Sequence, residues 1–239
     1  LCYAIHPQEH ASDNMTMIEN MQAQADTVES TRKFCERKEV HVSPVNLIRR
    51  FNAGKETYEH PQEGTMIPPQ VDSRILSLFG ACWTTGSLKY LISSGVDSIT
   101  YYETAGERGI IQGDYPSRWP DQFPAAAGMI FPVYHILRII LNERNYQVAE
   151  SRSSSPLRVE VFALKLQKSF RLFISNFTSE RQEVRIAIPF EELKITTLDH
   201  NSVNESYNDP DWFHNTGFRI INGGEKLIFE PFSLNIVDF

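Results

Sequence analysis

Glu103 closes a β-branched and aromatic run, Ser98-Ile99-Thr100-Tyr101-Tyr102, and the turn Thr104-Ala105-Gly106 follows at once. A carboxylate delivered at the end of an apolar strand is a candidate general base. Two other strand-like runs also end in polar residues. Leu1 to Ile5 gives way to His6-Pro7-Gln8-Glu9-His10 and Asp13-Asn14, and Glu39 to Val42 gives way to Ser43-Pro44. Imidazoles titrate near neutrality, so His6 and His10 are candidate acids, bases or oxyanion donors. Asp13 and Asn14 suit a helix cap as well as a ligand. Ser43 lacks the Gly-x-Ser-x-Gly elbow of a nucleophilic serine and is followed by Pro44, which argues for a binding role instead. His6-Pro7-Gln8-Glu9-His10 matches the His-x-x-Glu-His pattern of inverted zinc peptidases. That chemistry needs a helix, and here the motif begins at a strand end with Pro7 inside it. His6, His10 and Asp13 make only a looser divalent-ion set, and neither metal nor cofactor is expected.

Three strands that each end in polar residues, with helical pattern between them, read as βα units of an α/β barrel. Such folds carry catalysis at the carboxyl ends of their strands. Asp13 or Asn14 can cap a helix to about Ala23, and Asp26-Thr27-Val28-Glu29 has capping-box spacing that predicts a restart through Cys35. Residues 44–70 read as a long loop at a strand's carboxyl end, of the kind that is usually functional or disordered. Ile75, Leu76, Leu78, Phe79, Ala81, Cys82, Leu88, Leu91 and Ile92 give helical spacing from Asp72 to about Ser94, with Gly80 and Gly86 as weak points. Pro132 opens another helix. From about residue 147 the pattern alternates with period two. Strands are expected at 158–165, 170–176, 183–189, 217–222, 226–230 and 233–239, with a turn at Asn222-Gly223-Gly224. The fold class is therefore a partial (β/α) barrel over 1–146, followed by an antiparallel β-sandwich over 147–239 that serves packing.

An eight-stranded barrel takes about 250 residues, and three units are legible here. They read as the last three, with the front strands outside this chain. The chain opens on Leu1 inside a strand, which points to a fragment. The 239 residues carry 41% hydrophobic and 22% charged residues and a net charge of −7 without a basic block, so nucleic acid is not an expected partner. No apolar run reaches membrane-spanning length. Three widely spaced cysteines, Cys2, Cys35 and Cys82, suit a reducing cytoplasm better than a disulfide framework. Three glycosylation sequons, at Asn14, Asn176 and Asn204, are short enough to recur by chance.

Longer strings carry a resemblance. Pro7-Gln8-Glu9-His10-Ala11-Ser12-Asp13-Asn14-Met15-Thr16-Met17-Ile18-Glu19-Asn20, His41-Val42-Ser43-Pro44-Val45-Asn46-Leu47 and Thr100-Tyr101-Tyr102-Glu103-Thr104-Ala105-Gly106-Glu107-Arg108-Gly109 resemble the carboxyl half of the D-apionate lactonase family. So do Val71-Asp72-Ser73-Arg74, Leu78-Phe79-Gly80-Ala81 and Phe131-Pro132-Val133-Tyr134-His135. Glu107 departs from the aromatic residue expected in that pattern. The resemblance implies a glycosidase-like barrel with an added β-domain that opens the five-membered lactone of a branched-sugar acid.

Lactone hydrolysis needs a base for water, a donor for the oxyanion and polar groups for sugar hydroxyls. Glu103 is the expected base, its alternative role being a structural carboxylate held by Arg108 or backbone. His6 and His10 complete the expected catalytic set. Ser43, His41, Asp13, Asn14, Tyr101, Tyr102 and Arg108 are expected to bind substrate, and Trp83 is a further stacking candidate. Glycoside hydrolysis is the alternative enzyme reading; it needs a second carboxylate, with Glu9 or Glu19 as candidates. A non-catalytic carbohydrate-binding protein is the third. The expected partners are a small sugar lactone and either a second copy of the chain or an amino-terminal barrel half. In space, residues 1–5, 39–43 and 98–103 should be adjacent parallel strands, with His6, His10, Ser43 and Glu103 on one rim.

Overall fold

The computed structural model describes residues 1–35, 38–50, 66–223 and 225–239. Cys2–Ile5 (β1), His41–Val45 (β2) and Ser98–Tyr101 (β3) form a parallel sheet in that order, with Cys2 beside His41 and His41 beside Ser98. Among the described residues, β1 pairs with β2 alone. The helices Asn14–Phe34 (α1) and Leu78–Ser93 (α2) make the two crossovers.

Asp13 caps α1, accepting from the Thr16 N–H at 3.0 Å and the Thr16 hydroxyl at 2.7 Å. The helix then runs unbroken to Phe34, where two helices were expected. Met17, Ile18, Met21, Gln24, Val28 and Thr31 form one continuous buried stripe, so nothing interrupts the packing at Asp26. Thr27 instead turns its hydroxyl back onto the Gln24 carbonyl at 2.7 Å.

Ser77 caps α2, and that helix is buried on almost every side from Phe79 to Leu88. It lies against α1, against the helix Pro132–Asn142 (α3), and against the sheet of the second half. Gly80 and Gly86 are close-approach positions here, not weak points. A Cβ at Gly80 would sit 2.2 Å from the Arg74 carbonyl oxygen, and one at Gly86 would sit 2.6 Å from the Met21 sulfur. Between β3 and α3, Glu103–Ala105 (β4) and Gly109–Ile111 (β5) form a small parallel ladder.

The second half contains Gln147–Ala149 (β6), Val159–Lys165 (β7), Phe170–Asn176 (β8), Gln182–Val184 (β9), Glu192–Leu198 (β10), the short helices Val203–Ser206 (α4) and Trp212–Asn215 (α5), Arg219–Asn222 (β11), Leu227–Phe229 (β12) and Leu234–Asp238 (β13). Six of these strands make one antiparallel sheet, β11-β10-β13-β8-β7-β6. Phe162, Leu164, Phe173, Leu234 and Ile236 join α1 and α2 in one continuous core. The opposite face carries Leu172, Ile174, Leu193, Ile195 and Val237, which pack with Leu227 and Phe229 of the β9–β12 ribbon. The second layer is thus two strands, not a full sheet. The strand expected over 183–189 stops at Val184 because its ladder with β12 is three residues long. Strand β10, not anticipated, is central, pairing with both β11 and β13.

A buried ion pair ties the halves together: Lys89 of α2 meets Glu160 of β7 at 2.5 Å, and the Tyr90 hydroxyl holds the other carboxylate oxygen. Asn176 is fully buried, with its amide donating to the carbonyls of Glu180 and Glu230, so that sequon is closed in the folded chain. Cys2, Cys35 and Cys82 are unpaired. Among the described residues, no helix is long and apolar enough to cross a membrane.

Candidate functional site

Beyond the carboxyl ends of β1, β2 and β3 lies an open cleft of about 1020 Å³. Each strand supplies its exit residues: His6 follows β1, Asn46 follows β2, and Glu103 follows β3 by two positions. This is the end of a parallel α/β sheet at which chemistry is sited.

Glu103 is held by two guanidiniums. Its Oε1 receives Arg50 at 2.6 Å and Arg108 at 3.1 Å, whereas Oε2 has among the described residues only Arg108 at 3.4 Å. The carboxylate is therefore fixed through one oxygen, and the other is left lightly engaged. The left-handed backbone of Tyr102 (φ 55°) sets up this delivery. It breaks strand alternation, so successive tyrosines both turn toward α2, where the Tyr101 hydroxyl meets Ser87 at 2.7 Å and the Tyr102 hydroxyl meets Thr84 at 2.7 Å.

His6 lines the same cleft, half-buried, with Nε2 3.5 Å from Glu9. Burial lowers its pKa, which the Glu9 carboxylate opposes and the Arg49 charge reinforces, so the imidazole is neutral at neutral pH. Its Nδ1 is buried and has no hydrogen-bond partner among the described residues. A neutral ring with an unengaged nitrogen can accept or relay a proton.

The first strand's exit loop is braced from below by Asp72. Its buried carboxylate accepts from the Arg74 backbone N–H at 2.9 Å, from Arg74 Nε at 2.9 Å and Nη2 at 2.6 Å, and from Gln8. Gln8 also donates to the Leu47 carbonyl at 2.6 Å, and Arg74 reaches the Ser12 carbonyl at 2.7 Å. Burial pushes the Asp72 pKa up, but the hydrogen bonds and charge of Arg74, aided by Gln8, outweigh it and hold the carboxyl below its ordinary range. The Val71-Asp72-Ser73-Arg74 string is thus a clamp on the exits of β1 and β2.

Of the expected site residues, the fold brings His6, Glu103 and Arg108 to the cleft. The others it places elsewhere. His10 is exposed on an adjacent pocket of about 360 Å³ behind His6. Asp13 is occupied as the α1 cap, and Asn14 accepts from Arg74 at 3.0 Å. His41 lies at the amino end of β2, bonded to Ser98 at 2.7 Å, because a parallel strand puts its first residue at the rim opposite its last. Ser43 is half-buried within β2, and Pro44 and Asn46 reach the cleft in its stead. Tyr101 and Tyr102 are turned onto α2, and Trp83 is fully buried with its indole N–H on the Met17 carbonyl at 3.0 Å. Residues 6–12 are not helical, so His6, Glu9 and His10 share no helix face. Among the described residues, no three His, Cys, Asp or Glu side chains gather closely enough to hold a metal.

Sequence reasoning missed Arg49, Arg50, Glu107, Tyr115 and Trp119, all of which line the cleft. Arg49-Arg50 follow a strand exit and Tyr115 and Trp119 sit in a Gly- and Pro-rich loop, the kind of place where binding residues concentrate. The bulk of the expected loop over 44–70 lies outside the described residues.

A family model described as D-apionate lactonase, TIM barrel domain, matches residues 1–145. No curated protein matches the chain. Among solved structures, the fold is similar to an α-L-arabinofuranosidase from Thermotoga maritima in complex with arabinose, at 13% identity and a TM-score of 0.58 over 100% of this chain and 52% of that one. It is similar to a conserved exported protein from Bacteroides fragilis, at 12% identity and a TM-score of 0.55 over 100% and 46%. CelM2, a bifunctional glucanase-xylanase from a metagenome library, matches at 8% identity and a TM-score of 0.57 over 99% and 43%. The chain spans about half the length of these structures, and at such identities the likeness is one of fold, of the glycosidase TIM-barrel type.

Proposed function

This chain belongs to the D-apionate lactonase family, and on that premise we propose that the protein is a hydrolase that opens a five-membered sugar-acid lactone, with a D-apionolactone-like ring as substrate. The observation that carries the reading is the meeting of Glu103, its two arginines and His6 in one cleft at the strands' carboxyl ends. In this reading Oε2 of Glu103 takes a proton from water as the water oxygen adds to the lactone carbonyl. The carbonyl electrons move onto oxygen, and the oxyanion is met by Arg50 or Arg108. Collapse breaks the bond between the carbonyl carbon and the ring oxygen. That oxygen takes the proton held by Glu103, and the new carboxyl group gives up its own proton to His6 or to solvent, leaving a hydroxy acid as its carboxylate. The arginines that hold the base also suit the negative charge that builds up and stays in the product. We place this activity in the cytoplasm, in keeping with three unpaired cysteines.

Glycoside hydrolysis is the second reading, favoured by Glu107, a second carboxylate on the cleft wall. Glu9 lines the neighbouring pocket, paired with Arg49 at 3.2 Å, and Glu19 is exposed on α1, so neither lines the cleft with Glu103. Strand β2 contributes Ser43 and Pro44 where a nucleophilic carboxylate would stand. Assay of the protein against sugar lactones and aryl glycosides separates the two by ring opening or glycosidic cleavage, and neither activity would leave a binding protein. Glu103→Gln keeps the shape and removes the base, and a general base contributes about 10²–10⁴-fold. Ring opening should therefore fall at least about a hundredfold with folding intact. Near-normal turnover would remove Glu103 from the chemistry.

A further inference from the structure

Tyr115 and Trp119 reach the cleft from a single excursion of the chain, residues 112–129, that is closed like a noose. Its neck is fastened by the Gln112 N–H on the Met129 carbonyl at 2.7 Å and the Gly128 N–H on the Gly113 carbonyl at 2.8 Å. A second rung crosses it, from the Ser117 N–H to the Ala125 carbonyl at 2.8 Å. Phe123, fully buried, pins the loop into the core edge-on to Phe131, and its N–H holds the Trp119 carbonyl at 2.7 Å. The Trp119 N–H is fixed by the Ser117 hydroxyl at 3.1 Å. Gln112, itself buried, donates to the Tyr115 carbonyl at 3.1 Å. Two aromatic side chains on a cross-braced loop are a surface held ready, not a mobile tip.

Resting on the lactonase reading above, we propose that Trp119, with Tyr115 beside it, forms the wall against which the apolar C–H face of a bound sugar ring stacks. A furanose-type lactone has one polar edge of hydroxyls and carbonyl and flatter faces rich in C–H. The cleft offers matching surfaces: amides and charged groups at Asn46, Arg108 and Glu103, and indole and phenol rings at Trp119 and Tyr115. Small-ligand sites commonly combine aromatic lining with a few placed polar groups in this way. An aromatic wall also expels water from the ring face, which strengthens the polar contacts opposite it. The tyrosines first expected in this role are committed to α2, and Trp83 and Trp212 are buried, at 0% and 4% exposure.

Trp119 is the tryptophan on the cleft, which makes the proposal optically testable. The probe is the lactam analogue of the branched-sugar lactone, whose ring N–H resists opening. The wild-type protein should show a saturable change in tryptophan fluorescence with the same Kd as calorimetry. Trp119→Phe should lose the optical change while binding weakens only about twofold to threefold. Trp119→Ala should weaken binding about tenfold, given what a well-placed aromatic contact contributes, and Tyr115→Ala by about threefold. Should Trp119→Ala fail to fold, the phenylalanine and Tyr115 variants still decide. An optical change that persists in Trp119→Phe, a Kd for Trp119→Ala within about twofold of wild type, or no saturable binding by wild type would each overturn the proposal. Trp119-dependent binding without lactone opening would refute the lactonase reading and leave the wall standing. Turnover with an unchanged KM in Trp119→Ala would do the reverse.

Discussion

Replacing Asp72 by Asn removes one charge and almost no volume from the brace beneath the cleft. Its carboxylate sits in a side chain only 8% exposed and takes three donors from Arg74 and one from Gln8. Breaking a buried pair from one side costs about 3–5 kcal/mol. Arg74 is 22% exposed and keeps its bonds to the Ser12 carbonyl and to Asn14. It can therefore rehydrate in part, which lowers the expected loss to about 2–3 kcal/mol. For a chain of this length each kcal/mol moves the midpoint by about 2–4 °C, so Asp72→Asn should melt about 4–12 °C below wild type in a calorimetric scan at neutral pH. The sign of the pH dependence follows from the depressed folded pKa of Asp72. The unfolded chain takes up this proton first, so the contribution is full above the ordinary carboxylate pKa and is lost as pH falls through the lower folded value. The two melting curves should stay apart between about pH 5 and 8 and converge below about pH 4. A variant that melts within about 1 °C of wild type at pH 7 would show that the clamp adds nothing and that the exits of β1 and β2 are held some other way.

His135, buried and donating from Nε2 to the Ser206 carbonyl at 3.0 Å, has its pKa lowered chiefly by burial. The unfolded chain binds a proton that the folded one resists, so stability should fall as pH drops below about 6.5. His135→Phe should flatten that slope while costing about 1–3 kcal/mol at pH 8, because the Ser206 carbonyl loses its donor; an unchanged slope in denaturant titrations would assign the effect to other groups. Gly80→Ala drives a methyl to 2.2 Å from the Arg74 carbonyl oxygen, a contact with backbone that cannot swing aside. It should destabilise by about 2 kcal/mol or more despite the better helix propensity of alanine, and a stabilised variant would refute the close approach of α2 to the turn at Ser73–Leu76.

The order of elements was legible in the sequence because it depends on local signals. β-branched runs ended by polar residues mark β1, β2 and β3, Asp13 is a cap in the sequence and in the fold, and alternation marks β7, β8 and β13. Glu103 was legible as a strand-end carboxylate, and His6 as the residue leaving β1. The long family strings were legible too, as strings. What they do physically was not: Val71-Asp72-Ser73-Arg74 reads as a motif, and only the fold reveals a clamp joining two strand exits. Side-chain direction was likewise beyond a one-dimensional reading. One left-handed residue, Tyr102, turned two tyrosines away from the cleft, and the parallel direction of β2 put His41 at the far rim. Glycines at 80 and 86 look like helix breakers in a sequence because propensity is counted one residue at a time; in the fold they are where neighbouring elements touch α2. The wall of Tyr115 and Trp119 was illegible for the same reason, since a Gly- and Pro-rich stretch shows no periodicity and its cross-bracing joins residues up to seventeen positions apart. Local propensity and pattern thus determined which elements form, while contacts between residues distant in sequence decided which side chains share the cleft.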